Sequence, residues 1–99
     1  MLYIIAKSPF NTYDLEQCSS IKKSRESKVL LIEDAVIAAK KGVTSQYIMN
    51  KFQEDGIIVY ALKEDLEARG INDIIEFVES IDYERFVDLI VENKFISCI

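Results

Sequence analysis

The stretch IIVYALKEDLEARG (Ile57–Gly70) places a strand directly before a helix. Ile57–Leu62 is an unbroken apolar run carrying Ile57, Ile58, Val59 and Tyr60, residue types that favour pleated structure. Its lack of polar alternation fits a strand buried on both faces. Lys63–Arg69 then supplies good helix formers, with Asp65 and Arg69 spaced i,i+4 as an ion pair requires, and Gly70 closes the helix. A strand that runs into a helix rather than a hairpin turn belongs to a parallel α/β layer.

The same alternation extends in both directions. Leu2–Ala6 and Val29–Ile32 are further continuously apolar strands. Ser8-Pro9-Phe10-Asn11 turns the chain after the first of them, because proline has no N–H and pushes Ser8 out of helical geometry. Asn11 is placed to cap a helix whose face carries Leu15, Cys18 and Lys22, with Asp14 and Glu16 near its start, and which fades into the polar stretch Ser24–Ser27. Ala35–Lys41 reads as a helix stopped by Gly42, and Thr44 or Ser45 caps another whose apolar side holds Tyr47, Ile48 and Phe52. Asn72–Ile81 reads as a turn of helix followed by a strand near Phe77–Ile81. Asp82 caps a final amphipathic helix in which Tyr83, Phe86, Val87, Ile90 and Val91 form the expected core stripe. Phe95–Ile99 is expected as an edge strand. The expectation is one domain over residues 1–99, a small Rossmann-like three-layer α/β sandwich with a mainly parallel sheet of about five strands.

Composition narrows the function. The formal net charge is −5 and histidine is absent. Acidity of this kind argues against direct nucleic-acid binding, which relies on Lys and Arg to neutralise phosphates. The one basic cluster, Lys22, Lys23, Arg25 and Lys28, includes Glu26 and reads as a solvated loop. Without histidine, Ser-His-Asp and Cys-His nucleophiles are excluded. Two cysteines 80 positions apart lack metal-ligand spacing, so no metal is expected. The apolar start stops at Lys7, too short for a signal core or a membrane span, and the expectation is a reducing cytoplasm with free thiols.

Two constellations are candidates for chemistry. Glu33-Asp34 stands at the end of the second strand, where α/β proteins place ligand sites, although acids there also complement the N-terminus of the following helix. No glycine occupies the turn Lys7–Asn11, which disfavours a phosphate-binding loop and hence a nucleotide cofactor. Cys18 is the candidate nucleophile, since Lys22 one turn on favours a thiolate while Asp14 and Glu16 oppose it; a buried core thiol is the alternative. Cys98 has no activating neighbour in the sequence.

Four blocks occur in a characteristic order: MLYIIAKSPF (Met1–Phe10), LLIEDAVIAAK (Leu30–Lys40), VYALKEDLEARGI (Val59–Ile71) and IDYERFVDLI (Ile81–Ile90). Together they resemble the DsrH/TusB family, the smallest of the DsrE/F/H-like sulfur-relay proteins. The resemblance implies a compact subunit that assembles with DsrE/TusD-like and DsrF/TusC-like relatives and passes persulfide sulfur between carriers, serving tRNA wobble-uridine 2-thiolation or sulfur oxidation; the residues leave a homo-oligomer open as the alternative assembly. It implies a persulfide carrier or sulfurtransferase component rather than a stand-alone enzyme. Leu15-Glu16-Gln17-Cys18 resembles the first-helix cysteine of DsrH-type members, so Cys18 becomes the implied persulfide carrier. The alternative is an assembly subunit without chemistry that scaffolds those partners. Ala35 stands where the family commonly has glycine, and the tail carries Cys98 without the tryptophan found near the end of many relatives.

Overall fold

The computed structural model describes residues 2–6, 27–42, 46–93 and the backbone of 95–97. Strand β1 is Leu2–Ile5, β2 Lys28–Leu31, β3 Ile58–Leu62, β4 Val78–Ile81 and β5 Phe95–Ser97. A 3₁₀ helix spans Glu33–Ala39, and the α-helices are α1 (Gln46–Glu54), α2 (Lys63–Ala68) and α3 (Tyr83–Glu92). The strands form one sheet in the order β4-β3-β2-β1-β5, every neighbouring pair parallel. The expected α/β class and five-stranded parallel sheet are therefore present.

Both sheet faces are buried, which explains the continuous apolar runs. Tyr3, Ile5, Val29, Leu31, Val59, Ala61 and Val78 point into one cluster, while Leu2, Ile4, Leu30, Tyr60 and Ile81 point into the other. This is the period-two alternation of a strand expressed in two cores at once. The 3₁₀ helix, α1 and α2 cover the first face through Val36, Phe52 and Leu66; α3 covers the second through Leu89. Right-handed crossovers require that division, because β2, β3 and β4 are added in one direction from β1 and β5 in the other.

Three elements differ from the sequence reading. The segment after β2 is a 3₁₀ helix, not an α-helix ending at Lys41. Its buried residues are Ala35, Val36, Ala38 and Ala39, pairs three apart, and that spacing is the period of the tighter helix. The turn of helix expected after Asn72 is absent. Ile74 instead bridges Lys40 in antiparallel fashion, with the Lys41 N–H donating to the Asp73 carbonyl (3.0 Å) and the Ile75 N–H to the Ala39 carbonyl (2.8 Å).

The third correction concerns α3. Asp82 caps it as expected, accepting from the Arg85 N–H at 3.0 Å. The core stripe is nevertheless rotated. Leu89 is fully buried with Phe86 and Ile90 packed beside it, whereas Tyr83 and Val87 are each 55% exposed and Val91 80%. Ile81 is buried in β4 and the helix begins two residues later, so the short connection fixes its rotation about its own axis. An apolar arc that wraps more than half of the helix then cannot seat entirely on the sheet.

The Ser8–Asn11 turn, the helix carrying Leu15, Cys18 and Lys22, the basic residues Lys22, Lys23 and Arg25, the Thr44 and Ser45 cap, and Cys98 lie outside the described residues.

Candidate functional site

The carboxyl edge of the parallel sheet gathers the charged residues that the sequence marked. Glu33 follows β2 with φ +50°, a left-handed conformation unusual for a residue with a side chain, and this bend turns the chain at once into the 3₁₀ helix. Its N–H donates to Asp65 Oδ2 at 2.6 Å, joining the end of β2 to the start of α2. Arg69, at the end of α2, donates through Nε (3.2 Å) and Nη2 (2.8 Å) to Asp34 Oδ1. Its Nη1 also donates to the Asp65 carbonyl at 3.2 Å and lies 3.7 Å from Asp65 Oδ1.

The Asp65–Arg69 pair read from the i,i+4 spacing is present. The Asp34–Arg69 pair, 35 positions apart, was not legible, because it depends on β2 and β3 lying side by side. Asp34 and Glu33 do occupy the first turn of the 3₁₀ helix, where its dipole favours acids. The Asp34 carboxylate is already engaged by a guanidinium and Glu33 contributes its backbone N–H, so this edge is a latch between neighbouring βα units rather than an open acid pair. The positive φ of this turn falls on Glu33 and not on Ala35, whose N–H donates to the carbonyls of Ala6 and Ile32.

Among the described residues no three His, Cys, Asp or Glu side chains converge to hold a metal ion. A shallow hollow of about 360 Å³ lies between α1 and the antiparallel bridge, lined by Lys41, Gln46, Asn50, Ile75, Glu76 and Phe77. Its polar rim is partly tied up: Lys41 pairs with Asp73 at 3.5 Å, and the Gly42 N–H donates to Gln46 Oε1 at 2.8 Å. Among the described residues no helix is long and apolar enough to cross a membrane.

On the opposite face, the Arg85 guanidinium lies between Tyr60 on β3 and Glu92 on α3, with Nη1 3.2 Å from Glu92 Oε1. Burial pushes the Tyr60 hydroxyl pKa up and nearby Glu79 adds to the shift, while Arg85 opposes it. Cys18, the sequence-derived candidate carrier, and Cys98 lie outside the described residues, so neither is placed against these groups.

Comparison with known proteins agrees with the architecture. The ychN protein from E. coli superimposes with a TM-score of 0.80 over 97% of this chain and 96% of its own, at 17% identity, a likeness of fold alone. Protein Tm0979 from Thermotoga maritima gives 0.64 over 95% of each chain at 25% identity. In sequence, Protein TusB of Buchnera aphidicola is 39% identical over 95 residues, covering 95% of both chains. Protein TusB of Photorhabdus laumondii is 36% identical over 94 residues, covering 94% of both. The family described as DsrH like protein matches residues 7–95, and with that span this chain belongs to the DsrH/TusB family.

Proposed function

We propose that this protein is a subunit of a cytoplasmic sulfur-relay system, docking with DsrE/TusD-like and DsrF/TusC-like subunits, and that Cys18 holds the transferred sulfur as a persulfide. The observation that carries the reading is membership of the DsrH/TusB family over residues 7–95, with 39% identity to a TusB protein across 95% of both chains. The chemistry needs no cofactor. The Cys18 thiolate attacks the outer sulfur of a donor persulfide, R–S–SH, forming Cys18–S–SH as the donor leaves as R–S⁻. An acceptor thiolate then attacks the outer sulfur of Cys18–S–SH, so the persulfide passes on and the Cys18 thiolate is regenerated. The rate of each step depends on thiolate fraction and access.

The outlet is 2-thiolation of the tRNA wobble uridine or, in a sulfur oxidiser, dissimilatory sulfur metabolism. In either case a net charge of −5 makes a protein thiol, not nucleic acid, the direct contact of this subunit. The test is peptide mass spectrometry after the reduced protein meets a persulfide donor and free thiols are blocked. An added sulfur on Cys18, with little on Cys98, supports a carrier. With donor activity confirmed on a control carrier, an unmodified Cys18 would leave an assembly subunit whose chemistry belongs to its partners.

A further inference from the structure

We infer that the exposed face of α3 is a docking surface for a subunit of different sequence, one that presents an apolar strip edged with lysine or arginine. Tyr83, Val87 and Val91 stand at i, i+4 and i+8, a single stripe along the whole of α3. They are 55%, 55% and 80% exposed, and half-buried Phe86 and Ile90 continue the stripe towards the core. Single exposed apolar side chains are ordinary; a contiguous row on one helix marks an interaction site. Tyr83 is already held in place, its ring edge-on to Phe86 with centroids 6.4 Å apart. Ile58, 42% exposed, projects from the same sheet face by alternation with Tyr60.

Charge decides what covers this stripe. Glu84, Asp88 and Glu92 form a parallel row one residue on, about 100° around the helix. Among the described residues of α3 the cation, Arg85, is engaged by Glu92. A second copy is a poor occupant. An antiparallel two-fold pairing of α3 helices brings the same edge of each together, setting the two acid rows face to face. A parallel two-fold pairing lays each acid row against the partner's Phe86 and Ile90 shoulder, removing carboxylates from water without a counter-charge. A different subunit with a basic-edged strip satisfies both the apolar row and the acids.

This surface rests on the subunit reading for the choice of probe: purified DsrE/TusD-like and DsrF/TusC-like subunits from the same genome. Binding of the full chain is measured at low and high salt beside Val87→Asp/Val91→Asp and Glu84→Lys/Asp88→Lys, with circular dichroism verifying the fold. The expected result is about a tenfold or greater loss of affinity for each double variant, the charge-reversed one losing most at low salt. Wild-type binding matched by both variants would overturn the surface while leaving the subunit reading intact. Failure of the wild type to bind either subunit would overturn the subunit reading and this occupant with it. Sedimentation of the chain alone gives the remaining outcome: self-association abolished by Val87→Asp/Val91→Asp would make a second copy the occupant and overturn the inference.

Discussion

Arg69 Nη2 lies 2.8 Å from Asp34 Oδ1, joining the helix after β3 to the turn after β2. Both groups are partly exposed, so solvent weakens their attraction, but Arg69 also donates to the Asp65 carbonyl. Arg69→Ala is expected to lose about 1–2 kcal/mol of stability, measured by urea unfolding. Arg69→Lys is expected to recover little of it, since an ammonium cannot reproduce the two guanidinium bonds to Asp34.

Glu33 adopts φ +50°, which costs a residue with a Cβ roughly 1 kcal/mol. The bond to Asp65 uses the Glu33 backbone N–H and survives any substitution except proline. Glu33→Gly should therefore raise stability by about 0.5 kcal/mol after the entropy gained by the unfolded chain, whereas Glu33→Val should lower it. A lower thermal midpoint for the glycine variant would contradict the assigned turn.

The rotation of α3 predicts a sharp contrast between two neighbouring apolar residues. Leu89→Ala should cost about 2–5 kcal/mol as a cavity opens between helix and sheet. Val91→Ala, at 80% exposure, should stay within about 0.5 kcal/mol of the wild type in the isolated subunit. Equal effects in chemical denaturation would return the helix to the phase read from its sequence.

Tyr60 predicts a response to alkali. Its pKa is raised above the ordinary 10.0 in the folded state, by burial first and by Glu79 second. The folded protein therefore holds that proton more tightly than the unfolded chain. Its contribution is complete below pH about 10 and is lost as pH rises through the folded pKa. Titrated above pH about 10, wild type should lose stability more steeply than Tyr60→Phe; parallel slopes would remove Tyr60 from the alkaline transition.

The helix cap gives the most direct local test. Asp82→Ala removes the acceptor for the Arg85 N–H and should cost about 1 kcal/mol, with Asp82→Ser close to wild type in thermal melts.

These residues also show what the sequence could convey. Ile57–Leu62 and Leu2–Ile5 were legible because strands buried on both faces leave an unbroken apolar run. Asp82 was legible because capping is local. Leu89 was not, because α3 has apolar residues over so much of its circumference that only the short link from Ile81 selects the seated side. The Ile74–Lys40 bridge was missed for a related reason: it pairs segments 34 positions apart, and neither has a strand's length to announce it. The latch at the candidate site divides in the same way. Asp65–Arg69 follows from helical spacing, whereas Asp34–Arg69 exists only once two strands are neighbours. Cys18 was singled out from its neighbours in sequence and from the family resemblance, and its surroundings lie outside the described residues.

The pairing of β1 with β5 sets Leu2 beside Phe95, residues 93 positions apart in the chain. On the ribosome, β1 emerges before the other four strands, yet its second flank waits until β5 has been made. β2 can cover one side early, but the other stays an open row of amide donors and acceptors until β5 arrives. Contacts of such long range slow folding and lengthen the interval in which an unpaired strand can recruit another chain. Synthesis at low temperature should therefore raise the yield of soluble protein.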